Sequence, residues 1–222
     1  MGIAERRQRE KEQRHNDIVD AAERIFFSLG MENATMDDVA EEAELSKGTL
    51  YIYFKSKEDL YLAITKRGLD ILTTMFEKAS AKAPIGIEKI YAIGQAYRDF
   101  SKKHTDYFQA MAYFDLRVKE ISDESPNAKA SIEQGEKVLT ICAEAIRCGI
   151  EDGTIRSDID PQKAAIVLWG QTNGILQLIL NKGKHMKEVL KAFGFITLEE
   201  IIDYSFEMIR LSLMSMSVGG LQ

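Results

Sequence analysis

Helix-start signals follow one another so closely between Thr35 and Asp59 that only short helices fit between them. Thr35 with Asp38 three residues later has the form of a capping box, Ser46 precedes the next helical segment, and Ser56 with Asp59 forms a second box. A side-chain oxygen at such positions pairs with backbone N–H groups that a helix start leaves without partners. The pattern therefore predicts two short helices, a tight turn between them and the start of a longer helix.

The second short helix is predicted to present its polar side outward. Leu50 and Phe54 share its apolar face, because residues four apart lie on the same side of a helix. The other positions carry small, hydroxylated, aromatic and cationic groups, namely Lys47, Gly48, Thr49, Tyr51, Tyr53 and Lys55. Gly48 costs about 1 kcal/mol relative to alanine inside a helix, and close approach of another molecule's backbone would explain its presence. The arrangement is of the helix-turn-helix kind, although such corners also occur as core-packing elements.

The charge of the chain does not by itself indicate a nucleic-acid partner. The net charge is −6 at neutral pH, and residues 1–57 hold nine basic and twelve acidic residues, for −3. Binding to nucleic acid must therefore depend on where the cations lie and not on a basic domain. One group of cations lies in 47–57. Another lies in 1–15, which we expect to form a frayed helix or a disordered arm: Arg6, Arg7, Arg9, Lys11 and Arg14.

Several classes of function find no support in the sequence. No apolar run approaches the roughly 18 residues of a membrane span, and the N-terminus lacks an apolar signal core, so we expect a cytoplasmic protein. Cys142 and Cys148 lie six residues apart in a helical stretch, where they point to different faces and cannot pair. The three histidines lack metal-ligand spacing, and we find no paired acids on an apolar face, no nucleophile beside a base and no phosphate-binding glycine loop. We therefore expect no catalytic activity, no metal and no cofactor.

The stretch IVDAAERIFFSLGMENATMDDVAEEAELSKGTLYIYFKSKEDLYLAI, at about 16–64, resembles the N-terminal domain of the TetR/AcrR family of transcriptional regulators. The resemblance covers the paired alanines and the phenylalanine of a first helix, its stop at Gly30, the threonine before the second helix, SKGTLY, and SKEDL at the start of a fourth helix. One position departs from the pattern, because the family usually has glycine in the turn where Glu44 stands. A left-handed glutamate would cost about 1 kcal/mol there, and its carboxylate would face DNA if it pointed outward.

The resemblance implies which residues meet DNA. Thr35 and the backbone of Met36, at a helix N-terminus, would hold a phosphate, and Lys47 would be the best candidate for a guanine edge. The full set is Thr35, Met36 and Ser46 at the helix starts, Lys47, Gly48, Thr49 and Tyr51 in the major groove, and Tyr53, Lys55 and Lys57 on the flanking backbone. Partial burial in the core is the alternative for Tyr51 and Tyr53.

Helical periodicity continues along the rest of the chain, so we predict an all-α fold. Residues 16–29 form an amphipathic helix, and one long helix runs from Lys57 to about Ala81 without a Pro- or Gly-rich linker. This long helix would join an N-terminal three-helix helix-turn-helix domain, at 12–72, to an all-helical ligand-binding and dimerisation domain at 73–222.

The second domain combines an apolar lining with isolated polar groups, which is the mixture that a small-molecule pocket needs. The residues that we expect to line it are Met75, Tyr91, Gln95, Phe108, Met111, Cys142, Trp169 and Asn173. Plain core packing is the alternative for each aromatic and methionine side chain in this set. Such a pocket would take a small apolar or amphipathic effector.

Two helices near the end of the chain are predicted to form a homodimer interface. Residues 161–181 are apolar almost all the way round, and residues 197–216 repeat this character behind a Thr-x-x-Glu cap. One side of each helix would pack in its own core and the other against a second chain, with a purely internal core as the alternative. We therefore predict a homodimeric regulator of the repressor type, which leaves a palindromic operator in double-stranded DNA when its effector binds. A chromosome-organising DNA-binding protein without an effector and an all-helical small-molecule carrier stay open as alternatives.

Overall fold

A computed structural model of the chain describes residues 2–117, 125–181, 183–194 and 197–215, and within these ranges every regular element is an α-helix. An isolated β-bridge joins Ile155 to Met214. The prediction of an all-α fold is confirmed. The helices, in chain order, are α1 Ile3–Leu29, α2 Met36–Glu42, α3 Lys47–Tyr53, α4 Lys57–Lys82, α5 Gly86–Lys103, α6 Thr105–Arg117, α7 Pro126–Glu151, α8 Pro161–Asn181, α9 Gly183–Ala192 and α10 Leu198–Leu213.

Two helices differ from the prediction. Helix α1 begins at Ile3 and not near residue 16, so the basic N-terminal segment is an exposed, continuous extension of the amphipathic helix. Pairs four residues apart, such as Arg6 with Glu10 at 2.8 Å, support this extension without any apolar face. Helix α9 was not predicted at all. The last residue of the predicted 197–216 helix lies outside the described residues.

The first of two compact units comprises Met1–Leu69 and Asp106–Gln134. Its core combines the inner faces of α1 to α4 with α6, where the hydroxyl of Tyr61 donates to the backbone carbonyl of Ala110 at 2.9 Å. The Arg67 guanidinium contacts both Asp20 and Glu23 of α1, and the Tyr107 hydroxyl donates to Glu23 at 2.8 Å. Three helices are thereby held together through partly buried charges.

The second compact unit comprises Asp70–Thr105 and Gly135–Gln222. Helix α5 begins with an unusual cap, because the Ile85 side chain before it has no oxygen and the loop after α7 supplies side-chain acceptors instead. The Gly86 N–H donates to the Asp152 carboxylate at 2.7 Å, and the Ile87 N–H donates to the Thr154 hydroxyl at 3.2 Å. A side chain at Gly86 would collide with the backbone of Gly149, so glycine allows this close approach.

Replacement of Asp152 by alanine should therefore lower the free energy of unfolding by about 1 kcal/mol, the usual effect of losing a helix cap. Urea denaturation followed by circular dichroism measures this change. The matched control is Asp158→Ala in the same loop, whose exposed pairing with Arg156 should contribute little. Equal losses in the two variants would contradict the capping role of Asp152.

Candidate nucleic-acid interface and ligand cavity

The predicted caps at Thr35 and Ser46 are present, whereas only half of the predicted box at Ser56 forms, because the Asp59 N–H donates to the Ser56 hydroxyl while the Asp59 carboxylate accepts the Lys55 N–H. The Thr35 side chain accepts the Asp38 N–H at 3.2 Å, while the Asp38 carboxylate accepts the Thr35 N–H at 2.9 Å. The Ser46 hydroxyl accepts the Thr49 N–H at 3.1 Å at the start of α3. Met36 is the first residue of α2, with a buried side chain, so only its backbone is available at the helix N-terminus.

Glu44 occupies the left-handed region that favours glycine, with φ at 54°. It follows Ala43, the C-cap residue of α2. The Leu45 N–H bonds there to the Ala40 carbonyl at 2.9 Å and the Glu44 N–H to the Glu41 carbonyl at 3.0 Å. These two bonds are those of a Schellman motif, which usually has glycine at this position. The left-handed conformation expected at this position is confirmed, and the exposed Glu44 places an acid three residues before Lys47, the first residue of α3.

Helix α3 divides into an inner and an outer face as predicted. Leu50 and Phe54 are fully buried, whereas Lys47, Gly48 and Tyr51 are exposed. A β-carbon at Gly48 would meet nothing closer than the Ser46 hydroxyl at 3.9 Å, so no contact within the protein requires glycine there.

Sequence reasoning missed one exposed apolar residue of this helix. Ile52 is 71% exposed and lies on the outer face beside Tyr51. Ile52 comes two residues after the buried Leu50, so the two side chains point about 200° apart around the helix. This spacing could have indicated the exposure of Ile52. An exposed isoleucine on such a helix could contact a thymine methyl group or a sugar.

The Lys47 ammonium is paired within the protein. It lies 2.7 Å from the Asp37 carboxylate of α2, and this neighbour raises the pKa of Lys47 above its ordinary value. Both side chains are largely exposed to solvent, so the ion pair is weak and Lys47 can exchange Asp37 for another partner. A phosphate or a base edge that takes Lys47 must replace this interaction.

Lys57 has a different environment from the one expected of a phosphate contact. Its ammonium donates to the carbonyls of Met31 at 2.8 Å, Glu32 at 3.3 Å and Ala34 at 3.1 Å. These bonds use all three N–H groups of a lysine ammonium. In this structure Lys57 therefore holds the loop before α2.

Two other expected contact residues have partners within the same unit. Tyr53 is half-buried and packs against the core of the first unit, which is the alternative considered for it. The exposed Lys55 ammonium donates to the Tyr51 carbonyl at 3.0 Å, at the end of α3. The structure thus places Lys47, Gly48, Tyr51 and Lys55 on one accessible surface.

The second unit contains an apolar cavity of about 50 Å³. Tyr97 stacks on Trp169 in its wall, with ring centroids 4.8 Å apart and planes at 15°. The remaining wall is formed by Phe76, Ile87, Ile90, Tyr91, Ile93, Gly94, Cys142, Leu168, Thr172, Phe206, Ile209 and Arg210. Burial raises the pKa of the Cys142 thiol to about 12, so the thiol is neutral in this apolar setting.

Of the eight residues expected to line a pocket, the structure places Tyr91, Cys142 and Trp169 in the cavity wall. Asn173 stands behind the wall and accepts a hydrogen bond from Tyr97 at 3.1 Å. Met75 and Gln95 are half-buried and are not among the lining residues. They adjoin the lining residues Phe76 and Gly94 in the chain, but adjacent residues of a helix point about 100° apart. Phe108 and Met111 are buried in the first unit.

Within the described ranges, no cluster of three or more histidine, cysteine or acidic side chains could hold a metal ion. No helix of the described part of the chain is long and apolar enough to cross a membrane.

Two family models match the chain, one in its N-terminal part and one in its C-terminal part. "Bacterial regulatory proteins, tetR family" matches residues 18–64, and "Tetracyclin repressor-like, C-terminal domain" matches residues 90–193. Together the two models match more than half of the chain. The chain belongs to the tetR family of bacterial regulatory proteins.

Curated relatives and solved structures agree with this assignment. The transcriptional activator FasR of Mycolicibacterium smegmatis is 32% identical over 90 residues, which are 40% of this chain and 41% of FasR, so the chain spans about two fifths of that relative. FadR from Bacillus subtilis, solved with stearoyl-CoA, has a TM-score of 0.64 and 18% identity over 87% of this chain and 96% of its own. AibR, solved with isovaleryl coenzyme A and operator DNA, has a TM-score of 0.63 and 19% identity over 88% and 97%. These structural likenesses show that the fold is shared.

Replacement of Glu44 should separate backbone strain from charge. Glu44→Gly should raise the free energy of unfolding by up to about 1 kcal/mol because glycine adopts the left-handed conformation freely. Glu44→Ala should keep the strain, and both variants should bind DNA more tightly because they remove an acid near α3. Urea denaturation and fluorescence anisotropy with a labelled duplex measure the two effects. A stability gain in the alanine variant as large as in the glycine variant would contradict the strain.

Proposed function

We propose that this protein is a homodimeric repressor that binds a palindromic operator through α3 and releases it when a small apolar or amphipathic effector enters the second unit. The observation that carries the proposal is the outer face of α3, where cationic, hydroxylated and aromatic groups surround a glycine that no internal contact requires. Residues 12–72 are the proposed DNA-binding domain and residues 73–222 the effector and dimerisation domain.

The proposed contacts divide into groups that fix register and groups that read bases. The backbone at Met36, with Thr35 and Ser46 at the helix starts, would meet phosphates through backbone N–H groups and hydroxyls. Lys47 would reach a guanine edge in the major groove, beside Gly48 and Tyr51. The remaining contacts, from Thr49, Tyr53, Lys55 and Lys57, would be supporting ones, and the bonds already made by Lys57 favour an indirect role for it.

The second unit offers an apolar surface that suits a second copy of the chain. Helix α10 exposes Tyr204, Met208 and Leu211, which are spaced as one helical stripe. Helix α8 exposes Ile166, Val167 and Leu178 on the side opposite its buried residues, with open space above Gly170 and Gly174. Exposed apolar groups in this density mark an interface. We assign this surface, within 161–181 and 197–216, to the homodimer, which presents two α3 helices to the two halves of a palindrome.

The cavity suits an effector that changes the structure as it binds. About 50 Å³ is far less than the roughly 300–1,000 Å³ of a typical ligand pocket. An effector must therefore displace wall groups such as the Tyr97–Trp169 stack, and a ligand that prefers the displaced arrangement shifts the protein toward it. Because two proteins of this fold were solved with acyl-coenzyme A ligands, long-chain and short-chain acyl thioesters are the first effector class to test.

The DNA-reading role is tested by selecting duplexes from a random pool with the wild-type protein. Lys47→Ala should weaken binding to the selected duplex by about 1–3 kcal/mol and relax preference at one base pair of each half-site. Fluorescence anisotropy at several salt concentrations measures both effects.

Lys78→Ala is the charge-matched control, since Lys78 is an exposed lysine of the second unit. Unchanged binding in the Lys47 variant would remove the assignment of base reading to Lys47, and failure of the wild type to select any duplex would overturn the proposed function.

The dimer interface is tested by Leu211→Glu. Because Leu211 is 61% exposed in the single chain, the change should leave the fold intact while a buried charge disrupts the dimer. Sedimentation should show a monomer, and affinity for the selected palindrome should fall steeply.

The matched control is Ile132→Glu, which alters an exposed isoleucine of α7 and should leave the dimer intact. A Leu211 variant that remains dimeric would place the interface elsewhere.

A further inference from the structure

The end of α3, the proposed recognition helix, is hydrogen-bonded to the start of α7 through one carboxylate, that of Asp59. One oxygen of Asp59, in the first turn of α4, accepts the Lys55 N–H at 3.2 Å, directly after α3. The other oxygen accepts the Ser125 hydroxyl at 2.6 Å and the Asn127 side-chain amide at 2.9 Å. Asp59 therefore joins the backbone that follows α3 to Ser125, just before α7, and to Asn127 in the first turn of α7.

The partners of Asp59 also cap α7. The Ser125 hydroxyl accepts the Asn127 N–H at 3.1 Å, so it receives bonds from α7 while it donates to Asp59. The positive end of the α7 dipole adds to the attraction for the carboxylate. One turn further along, the buried Ser131 hydroxyl donates to the Leu62 carbonyl of α4 at 3.0 Å. The first turns of α7 are thus attached to α4 by several directed bonds.

Helix α7 continues without interruption from this attachment to the cavity wall. It runs over Pro126–Glu151, and Cys142 in its second half lines the apolar cavity. Helix α4 has the same property, since it begins beside α3 and carries the lining residue Phe76. Two continuous helices therefore begin at the exit of the recognition helix and contribute to the cavity wall.

We propose that Asp59 is a positioning residue through which α7 orients the recognition helix, and that α7 is a second route, beside α4, by which the state of the cavity reaches DNA. The proposal rests on the proposed function, since it concerns the coupling of the same two sites. Asp59 itself need not touch DNA. Coupling between the sites is reciprocal, so DNA binding must also alter the cavity wall through α7.

The test places a second carboxylate against Asp59. Asn127→Asp keeps an acid where the start of α7 favours one, but it repels Asp59 and removes the amide donor. The double variant Asp59→Asn with Asn127→Asp exchanges donor and acceptor and should restore the attachment. Lys129→Ala is the control, because it changes the net charge by the same amount at an exposed position of the same turn.

Two measurements use the duplex selected by the wild-type protein. Asn127→Asp should weaken binding about tenfold, and the exchange variant should recover affinity to within about threefold of wild type, as expected for two groups that act through each other. Trp169, the single tryptophan of the chain, reports on the cavity. Its emission should change when wild type binds the duplex, change little in the Asn127 variant and respond again in the exchange variant.

Each outcome decides the proposal. Equal binding by the Asn127 and Lys129 variants, or an exchange variant as weak as Asn127→Asp, would overturn the positioning role of Asp59. A Trp169 emission that ignores DNA in the wild type, or responds equally in the Asn127 variant, would overturn the route through α7. If the wild type selects no duplex, the proposed function fails instead, and circular dichroism shows whether each variant is folded.

Discussion

In the first unit, the loop before α2 is held by one ammonium group that donates to three backbone carbonyls. Lys57 is the first residue of α4, and its bonds to the loop of Met31, Glu32 and Ala34 fix the chain immediately before Thr35. Thr35 caps α2, so the position of α2 follows from this loop. Hydrogen bonds that a charged ammonium donates to carbonyls are stronger than those from neutral donors. Lys57, which the sequence predicted to lie on the flanking DNA backbone, thus helps to determine where Thr35 and α2 lie.

Charge on the reading surface is balanced, and this balance has consequences for recognition. Asp37 pairs with Lys47, and Glu44 stands in the strained turn before α3. In the proposed complex, Lys47 must therefore exchange Asp37 for DNA, which lowers the sequence-independent part of binding. Specific contacts and the simultaneous use of two half-sites would then supply a larger share of the affinity. The exposed apolar stripes of α8 and α10 would matter here, because a single α3 helix of the proposed homodimer would read only half of a palindrome.

The second unit contains a small cavity, and two of the helices that line it, α4 and α7, begin in the first unit. A cavity of about 50 Å³ with stacked aromatic rings in its wall is a packed arrangement, and packed cores rearrange between discrete states more readily than they deform gradually. Helix α4 continues covalently from α3, whereas α7 is attached at Asp59 by hydrogen bonds that can break. The two connections therefore differ in strength, and the hydrogen-bonded one is the connection to which we assign the proposed second route.

Local chemistry in the sequence determined the all-α fold, the caps at Thr35 and Ser46 and the inward face of α3, whereas the left-handed Glu44 was expected only from the resemblance to a family with glycine there. Each depends on residues within a few positions of one another, and short-range sterics and hydrogen bonds decide such features. Tertiary structure alone decided that Lys57 meets carbonyls, that Asp37 takes Lys47, that Asp152 caps α5 and that Asp59 holds α7. It also separated Phe108 and Met111 from the cavity and left Tyr91, Cys142 and Trp169 in its wall. These contacts join residues far apart in the chain, and periodicity assigns a side chain to a face of its helix without saying which distant group that face meets.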